Sequence, residues 1–145
     1  MQKPSGETLT LTPHQCYRAV YLLKRTHEGR VESPTDIVDS WEEPDTDIDR
    51  ESKDVFSQYE GYIEPSAIAG SNGMSDRLET HRIKQVLGCM LRGNFEVENT
   101  APPVLQRRGE RLYVTADRHH RSMVAKSIGL DKMYAVYEVV PSELL

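Results

Sequence analysis

The chain has 145 residues, and only 37% of them are hydrophobic, which is low for a compact domain. We expect one domain of ordinary size, with part of the chain in loops or tails. A membrane-spanning helix needs about 20 apolar residues in a row, and no run in this sequence approaches that length. The first residues also lack the apolar segment of a secretory signal. The sequence therefore predicts a cytoplasmic protein without a membrane partner.

The net charge of −5 is distributed unevenly along the chain. Residues 32–60 contain 11 acidic and two basic side chains, a net charge of −9, which leaves +4 for the remainder. A solvated loop would explain such a run, and the alternative interpretation is a mimic of nucleic acid or an autoinhibitory flap over a basic site. Cys16 and Cys89 lack the spacing of metal ligands and are expected to be reduced thiols.

The first third of the chain predicts one helix followed by a long loop. The motif Thr12-Pro-His-Gln15 combines a capping box with proline at the first helical position, so we expect a helix to about His27. Residues 32–54 show no periodicity and predict a loop or disordered linker, with Trp41 as a candidate anchor onto the domain. A helical turn is expected at 53–59.

From residue 61 onward the sequence has clear strand and helix periods. In chain order they predict a short strand at 62–65, a flexible loop at 68–74, a helix at 75–92, a hairpin of strands at 104–108 and 111–116, a helix at 122–128 and a strand at 133–140. The domain prediction is a helical extension packed on the core at 1–31, an acidic linker or loop at 32–60 and a folded domain at 61–145.

A polar junction separates the second hairpin strand from the helix that follows it, and its residues are Asp117, Arg118, His119, His120 and Arg121. Such side chains are costly to bury unless they face a partner. The free N–H groups at the start of a helix, with arginine and histidine donors beside them, favour an anion such as phosphate. The junction is therefore the candidate functional site.

Three residues of the junction have a candidate role beside an ordinary structural alternative. Arg121 can grip two phosphate oxygens, or it can form a surface ion pair. His120 can donate to the same phosphate or act as an acid or base, or it can pack on the hairpin. Asp117 can hold a metal ion, orient His120 or act as a base, or it can cap the helix.

The candidate residues therefore fall into three sets. Asp117 and His120 are the candidate catalytic residues, with Asp117 also the candidate metal ligand. The candidate phosphate-binding residues are Arg118, His119, Arg121 and Ser122. A third set at the tip of the hairpin could contact a polyanion, although a solvated tip also explains it; its members are Arg107, Arg108 and Arg111.

The order of elements from residue 62 and three motifs resemble the ParB/sulfiredoxin superfamily over residues 62–140. Ile63-Glu-Pro65 is similar to its opening strand, and Pro103-Val-Leu-Gln-Arg-Arg-Gly-Glu-Arg-Leu-Tyr-Val114 is similar to its central hairpin. Asp117-Arg-His-His-Arg121, with Ala125-Lys126 and Gly129-Leu130, is similar to its phosphate-binding turn and helix. The resemblance implies an α+β fold, in which helices flank a small mixed sheet, with an extra N-terminal helix and an acidic loop.

Members of this superfamily bind ATP or CTP at that turn, so the resemblance implies a nucleotide with Mg²⁺. The chain departs from the family pattern at two positions. Arg118 stands where glycine is usual, and His119 stands where the sulfinic-acid reductases carry their catalytic cysteine. The missing thiol excludes sulfinic-acid reduction.

The function that the resemblance implies is phosphohydrolase or phosphoryl-transfer activity, as in an ATPase, CTPase or nuclease, in a DNA-linked process. The alternatives are a small-molecule kinase of the free-amino-acid type and a non-catalytic interaction module switched by nucleotide. DNA is a further candidate partner, and a homodimer is left open.

Overall fold

The fold is described from a computed structural model, which covers residues 10–44, 56–72, 78–93, 102–115 and 119–145. Its helices are α1 (Pro13–His27), α2 (Thr80–Leu91) and α3 (His119–Ile128). Its strands are β1 (Ser57–Ile63), β2 (Ile68–Ser71), β3 (Val104–Arg108), β4 (Arg111–Val114) and β5 (Met133–Val139). The predicted α+β class is confirmed. No helix within these ranges is long and apolar enough to cross a membrane.

The five strands form one mixed sheet in the order β1-β5-β3-β4-β2. The pairs β1–β5 and β3–β4 are antiparallel, whereas β3–β5 and β2–β4 are parallel. The predicted hairpin of β3 and β4 is confirmed, and its turn contains Gly109 with a φ of 66°, a conformation that glycine adopts at little cost. The predicted last strand is confirmed as β5.

The first helix begins and ends where the sequence predicts. Both hydrogen bonds of its capping box are present, since Gln15 N–H donates to Thr12 Oγ1 at 3.2 Å and Thr12 N–H donates to Gln15 Oε1 at 3.0 Å. The helix packs on α2 and α3, where Ala19 and Leu22 are buried. Its side chains therefore belong to the same hydrophobic core as those of the sheet.

The boundaries of α2 and α3 differ from the prediction. The second helix begins at Thr80, later than the predicted Ser75, which lies outside the described residues. Glu79 has an extended backbone and serves as its N-cap. The third helix begins at His119, three residues before the predicted start, so His119, His120 and Arg121 lie in its first turn. The earlier start of α3 requires few additional backbone hydrogen bonds, because the first N–H groups of any helix lack partners within it.

The first strand is longer than the predicted strand at 62–65, and the predicted helical turn at 53–59 is wrong for residues 57–59. Strand β1 pairs with β5 along its whole length. Tyr59 also stacks on Tyr137 across this pair, with ring centroids 5.6 Å apart. Pairing with a strand 70 to 82 positions later in the chain outweighs the local preference of this segment. The strand also begins before the predicted domain boundary at residue 60.

The predicted flexible loop at 68–74 contains β2, so the prediction is wrong for residues 68–71. The small residues suggested flexibility, but Gly70 allows a close approach of two backbones. A Cβ atom at Gly70 would lie 1.6 Å from the carbonyl oxygen of Glu42. Glu42 N–H donates to the Ala69 carbonyl and Ser71 N–H donates to the Glu42 carbonyl, both at 3.0 Å.

The first part of the acidic segment is packed against the domain. Ile37 and Val38 are buried, and the indole N–H of Trp41 donates to Ser71 Oγ at 2.9 Å. The predicted anchoring role of Trp41 is therefore confirmed. Residues 45–55 lie outside the described ranges, and the remaining prediction for the acidic segment falls on them.

We expect Gly70→Ala to destabilise the fold, because the added Cβ must displace the backbone of Glu42. Losing the two backbone hydrogen bonds of that contact should cost about 1–3 kcal/mol at roughly 0.5–1.5 kcal/mol each. Gly88→Ala is the matched control, since its Cβ would meet only the end of the Arg92 side chain, at 3.1 Å. It should be neutral or stabilising by up to about 1 kcal/mol. Urea denaturation measures both changes, and equal effects would contradict the role of Gly70.

Candidate functional site

Two helices begin beyond the same edge of the sheet. Strands β2 and β4 are parallel neighbours, with Ser71 opposite Val114. Just past their carboxyl ends, Asn72 N–H donates to the Val114 carbonyl at 2.8 Å. The chain leads from β2 to α2 and from β4 to α3, so both helix starts follow these adjacent strand ends. Crevices beyond the carboxyl ends of parallel strands are common ligand sites in α/β sheets.

His120 links the two helix starts directly. Its Nε2 accepts a hydrogen bond from the backbone N–H of Glu79, the N-cap residue of α2, at 3.1 Å. Because Nε2 is an acceptor here, the neutral ring carries its proton on Nδ1. The contact therefore fixes both the tautomer of the ring and the position of α2 relative to α3.

Arg121 lies in the first turn of α3, and its side chain is buried, with 8% of its surface exposed. This is unusual for arginine, whose charge is costly to remove from water unless acceptors surround it. At this exposure the side chain lies inside the domain and not on its surface. A permanent positive charge is therefore carried by a buried residue in the first turn of α3.

Ser122 is adjacent to Arg121 and has no exposed surface. Its Oγ finds no hydrogen-bond partner among the residues that the structure describes. A buried polar group without a partner costs about 1–3 kcal/mol. Met123 and Val124, the next residues of the helix, are equally buried but apolar. Among the described residues, no contact of the Ser122 hydroxyl accounts for its burial.

For the other junction residues the structure gives little or no information. Asp117 and Arg118 lie outside the described residues, and of His119 only its backbone at the start of α3 is described. Within the described ranges, no group of three or more His, Cys, Asp or Glu side chains could hold a metal ion. The predicted metal ligand, Asp117, falls outside that search.

The three hairpin arginines lie at the opposite end of β4 from the start of α3. Arg111 Nη1 contacts Glu42 Oε1 at 2.6 Å, and Arg108 Nε donates to Gln106 Oε1 at 2.7 Å. Arg107 lies 5.6 Å from the centre of the Tyr137 ring. A hydrogen bond with Tyr113 and the nearby Glu42 carboxylate raise the pKa of Arg111. The structure therefore does not bring this set to the junction.

The sequence assigned no individual role to two further features, although the first lies in the motif that resembles the superfamily. One is Lys126, whose Nζ donates to the Ile68 carbonyl at 2.6 Å and lies 6.0 Å from the centre of the Trp41 ring. Burial lowers the pKa of Lys126, and its two contacts join α3 to β2 and to Trp41. The other is the outward side of α1, where tyrosines and arginines recur at helical spacing. That spacing is visible in the sequence and could have predicted this surface.

Comparison of the chain with protein-family models, with curated proteins and with solved structures found no match. The resemblance to the ParB/sulfiredoxin superfamily therefore stays a prediction based on its motifs. What the structure adds is a pair of buried polar side chains at the start of α3, which lies beside the start of α2.

Proposed function

We propose that the protein binds a nucleotide, ATP or CTP, with its phosphates at the start of α3. The observation that carries this proposal is the burial of Arg121 and Ser122, adjacent in the first turn of a helix that follows a strand. The start of a helix offers free N–H groups and the positive end of its dipole. An arginine adds a permanent charge with a planar fork of donors that fits phosphate oxygens.

Each described side chain has a defined part in this proposal. The Arg121 guanidinium grips two phosphate oxygens, and the Ser122 hydroxyl, which has no hydrogen-bond partner among the described residues, donates to a third. His120 donates from Nδ1, since its Nε2 is engaged by Glu79. Mg²⁺ is held in proteins largely by phosphate oxygens with one or two carboxylates, and Asp117 is the proposed carboxylate. The bound ion would neutralise charge on the phosphates.

For the activity we propose slow phosphohydrolase or phosphoryl-transfer chemistry in a DNA-linked process, with Asp117 positioning the attacking group. One contact favours a second function, a non-catalytic module that nucleotide switches. His120 Nε2 can take up a proton only by releasing the Glu79 N–H. A bound phosphate that draws a proton onto Nε2 would therefore break the contact between α2 and α3, whereas a phosphate that only accepts from Nδ1 would leave it intact.

A thermal-shift screen of nucleotides with and without magnesium tests the proposal. A ligand at about 100 times its dissociation constant adds about 2.7 kcal/mol of stability, so ATP or CTP should raise the melting temperature. Adenosine and cytidine are the controls, because they lack the phosphates. Turnover with and without DNA then separates hydrolysis from switching. If no nucleotide at millimolar concentration shifts the melting temperature, the proposal fails.

Removing the Ser122 hydroxyl should affect stability and nucleotide affinity in opposite directions. Ser122→Ala removes a buried polar group without a described partner, so the free protein should keep its stability or gain up to about 1–3 kcal/mol. The same change should weaken nucleotide binding by about 2- to 12-fold, since one neutral hydrogen bond is worth about 0.5–1.5 kcal/mol. Denaturation and calorimetric titration measure the two effects. Lower stability with unchanged affinity would show that the hydroxyl serves the fold.

A further inference from the structure

A groove runs along the outward side of α1, separate from the site described above. Its volume is about 460 Å³, within the range of small-molecule sites. The helix contributes two tyrosines, two arginines and a histidine, at positions that share one face: Tyr17, Tyr21, Arg18, Arg25 and His14. Ser127 lines the groove from the far end of α3, about 12 Å along that helix from its start.

The charge of this region is opposite to that of the whole chain. Residues 13–31 contain four Lys or Arg and one Glu, a net charge of +3, whereas the rest of the chain carries −8. Asp36 is the only acidic side chain among the described residues that line the groove. Its carboxylate already accepts the backbone N–H groups of Glu32 and Ser33, at 2.9 and 3.0 Å. Those hydrogen bonds lower the pKa of Asp36.

The aromatic rings of the groove are open to solvent and the arginines beside them are held in place. Tyr17 is 71% exposed and Tyr21 is 55% exposed. Arg18 Nε donates to the Ser127 carbonyl at 2.8 Å, and the Arg25 guanidinium lies 5.7 Å from the centre of the Tyr21 ring. Tyr17 and Tyr21 are four positions apart, so their backbones are separated by about 6 Å along the helix axis. Flat apolar faces and positive charges therefore alternate along one surface.

We propose that this groove binds single-stranded nucleic acid, with Tyr17 and Tyr21 stacking on successive bases and Arg18 and Arg25 contacting the phosphates. A cationic groove that carries aromatic rings is the usual means of holding a single strand without reading its sequence. A duplex hides the faces of its bases, so the rings would have nothing to stack on. An acidic peptide would use the arginines but leave the tyrosines idle. This surface does not depend on the nucleotide site at α3.

Fluorescence anisotropy with a labelled 12-nucleotide oligothymidine and the full chain tests the proposal. Tyr17→Ala and Tyr21→Ala should each weaken binding by about 5- to 150-fold, the loss typical of one stacked base. Val20→Ala is the matched control, because Val20 is 53% exposed on the same helix but does not line the groove. It should bind like the parent protein.

The salt dependence of oligonucleotide binding distinguishes a phosphate contact of Arg25 from a general effect of positive charge on the helix. Arg25→Ala should reduce the slope of log K against log salt by about 0.7, the value for one phosphate of a single strand. Lys24→Ala removes the same charge from the same helix outside the groove and should change the slope less. Equal slopes for the two variants would contradict the assigned phosphate contact.

Three outcomes would overturn the proposal. The oligonucleotide could fail to bind, it could bind the Tyr17→Ala/Tyr21→Ala double variant as tightly as the parent, or a duplex or polyglutamate could bind more tightly than the single strand. Arg121→Met separates the two sites, because it removes the guanidinium, keeps the packing of the buried stem and should leave oligonucleotide binding intact. If instead folded Arg121→Met no longer binds the strand and the tyrosine variants still do, the strand binds at the nucleotide site.

Discussion

Arg121→Ala is expected to weaken binding of ATP or CTP by about 10- to 150-fold. A hydrogen bond to a charged group is worth roughly 1.5–3 kcal/mol, and the variant loses the guanidinium but keeps the N–H groups of the helix start. Binding should therefore weaken without vanishing. Arg121→Lys should recover part of the loss, because a point charge cannot grip two oxygens in one plane. Calorimetric titration in the presence of magnesium measures each affinity.

Two controls separate a lost contact from a damaged fold. Arg121 is buried, so its removal can also leave a cavity; Arg121→Met keeps the packing of the stem and removes only the charge. Arg30→Ala removes an arginine whose side chain is 65% exposed beyond the end of α1, and it should bind a mononucleotide like the parent. If folded Arg121→Met binds as tightly as the parent protein, the phosphates bind elsewhere.

Leu87→Ala is expected to lower the free energy of unfolding by about 2–5 kcal/mol, the largest effect on stability that we predict. Leu87 is fully buried in α2, the helix that packs against both α1 and α3. Truncation removes apolar contacts and leaves a cavity that the neighbouring helices fill only in part. Because domains are stable by about 5–15 kcal/mol, a loss of about 5 kcal/mol would leave the least stable of them about half unfolded.

Leu91 is the matched control for this change, since it lies one turn later in α2 and is only partly buried. Leu91→Ala should cost clearly less than Leu87→Ala. Urea denaturation at an unchanged m-value measures both. Similar losses for the two variants would mean that Leu87 does not lie at the centre of the helical layer.

The elements that sequence alone predicted well are those whose signals are local. The capping box of Thr12 defined the start of α1, and the turn at Gly109 defined the hairpin. The strands β1 and β2 were missed or misplaced because their stability comes from distant partners. Tyr59 finds its partner in β5, and Gly70 is understood only once the backbone of Glu42 is known to lie against it.

In the candidate site too, the features that local sequence predicts differ from those that depend on packing. The change from strand to helix period predicted Arg121 near a helix start, which is local information. That Arg121 is buried and that the Ser122 hydroxyl is buried without a described partner depend on packing, which no periodicity reports. The contact from His120 to Glu79 depends on the parallel pairing of β2 and β4, which brings two helix starts together.

Titration of the ¹⁵N-labelled protein with ATP or CTP and magnesium, followed by the chemical shifts of its backbone amides, tests the nucleotide site most directly. A phosphate bound at the start of α3 must perturb the amides that point at it, so the largest changes should fall on His120, Arg121 and Ser122. Smaller changes are expected at Glu79, which His120 contacts. Largest changes along α1, or no changes at millimolar nucleotide, would contradict the proposed site.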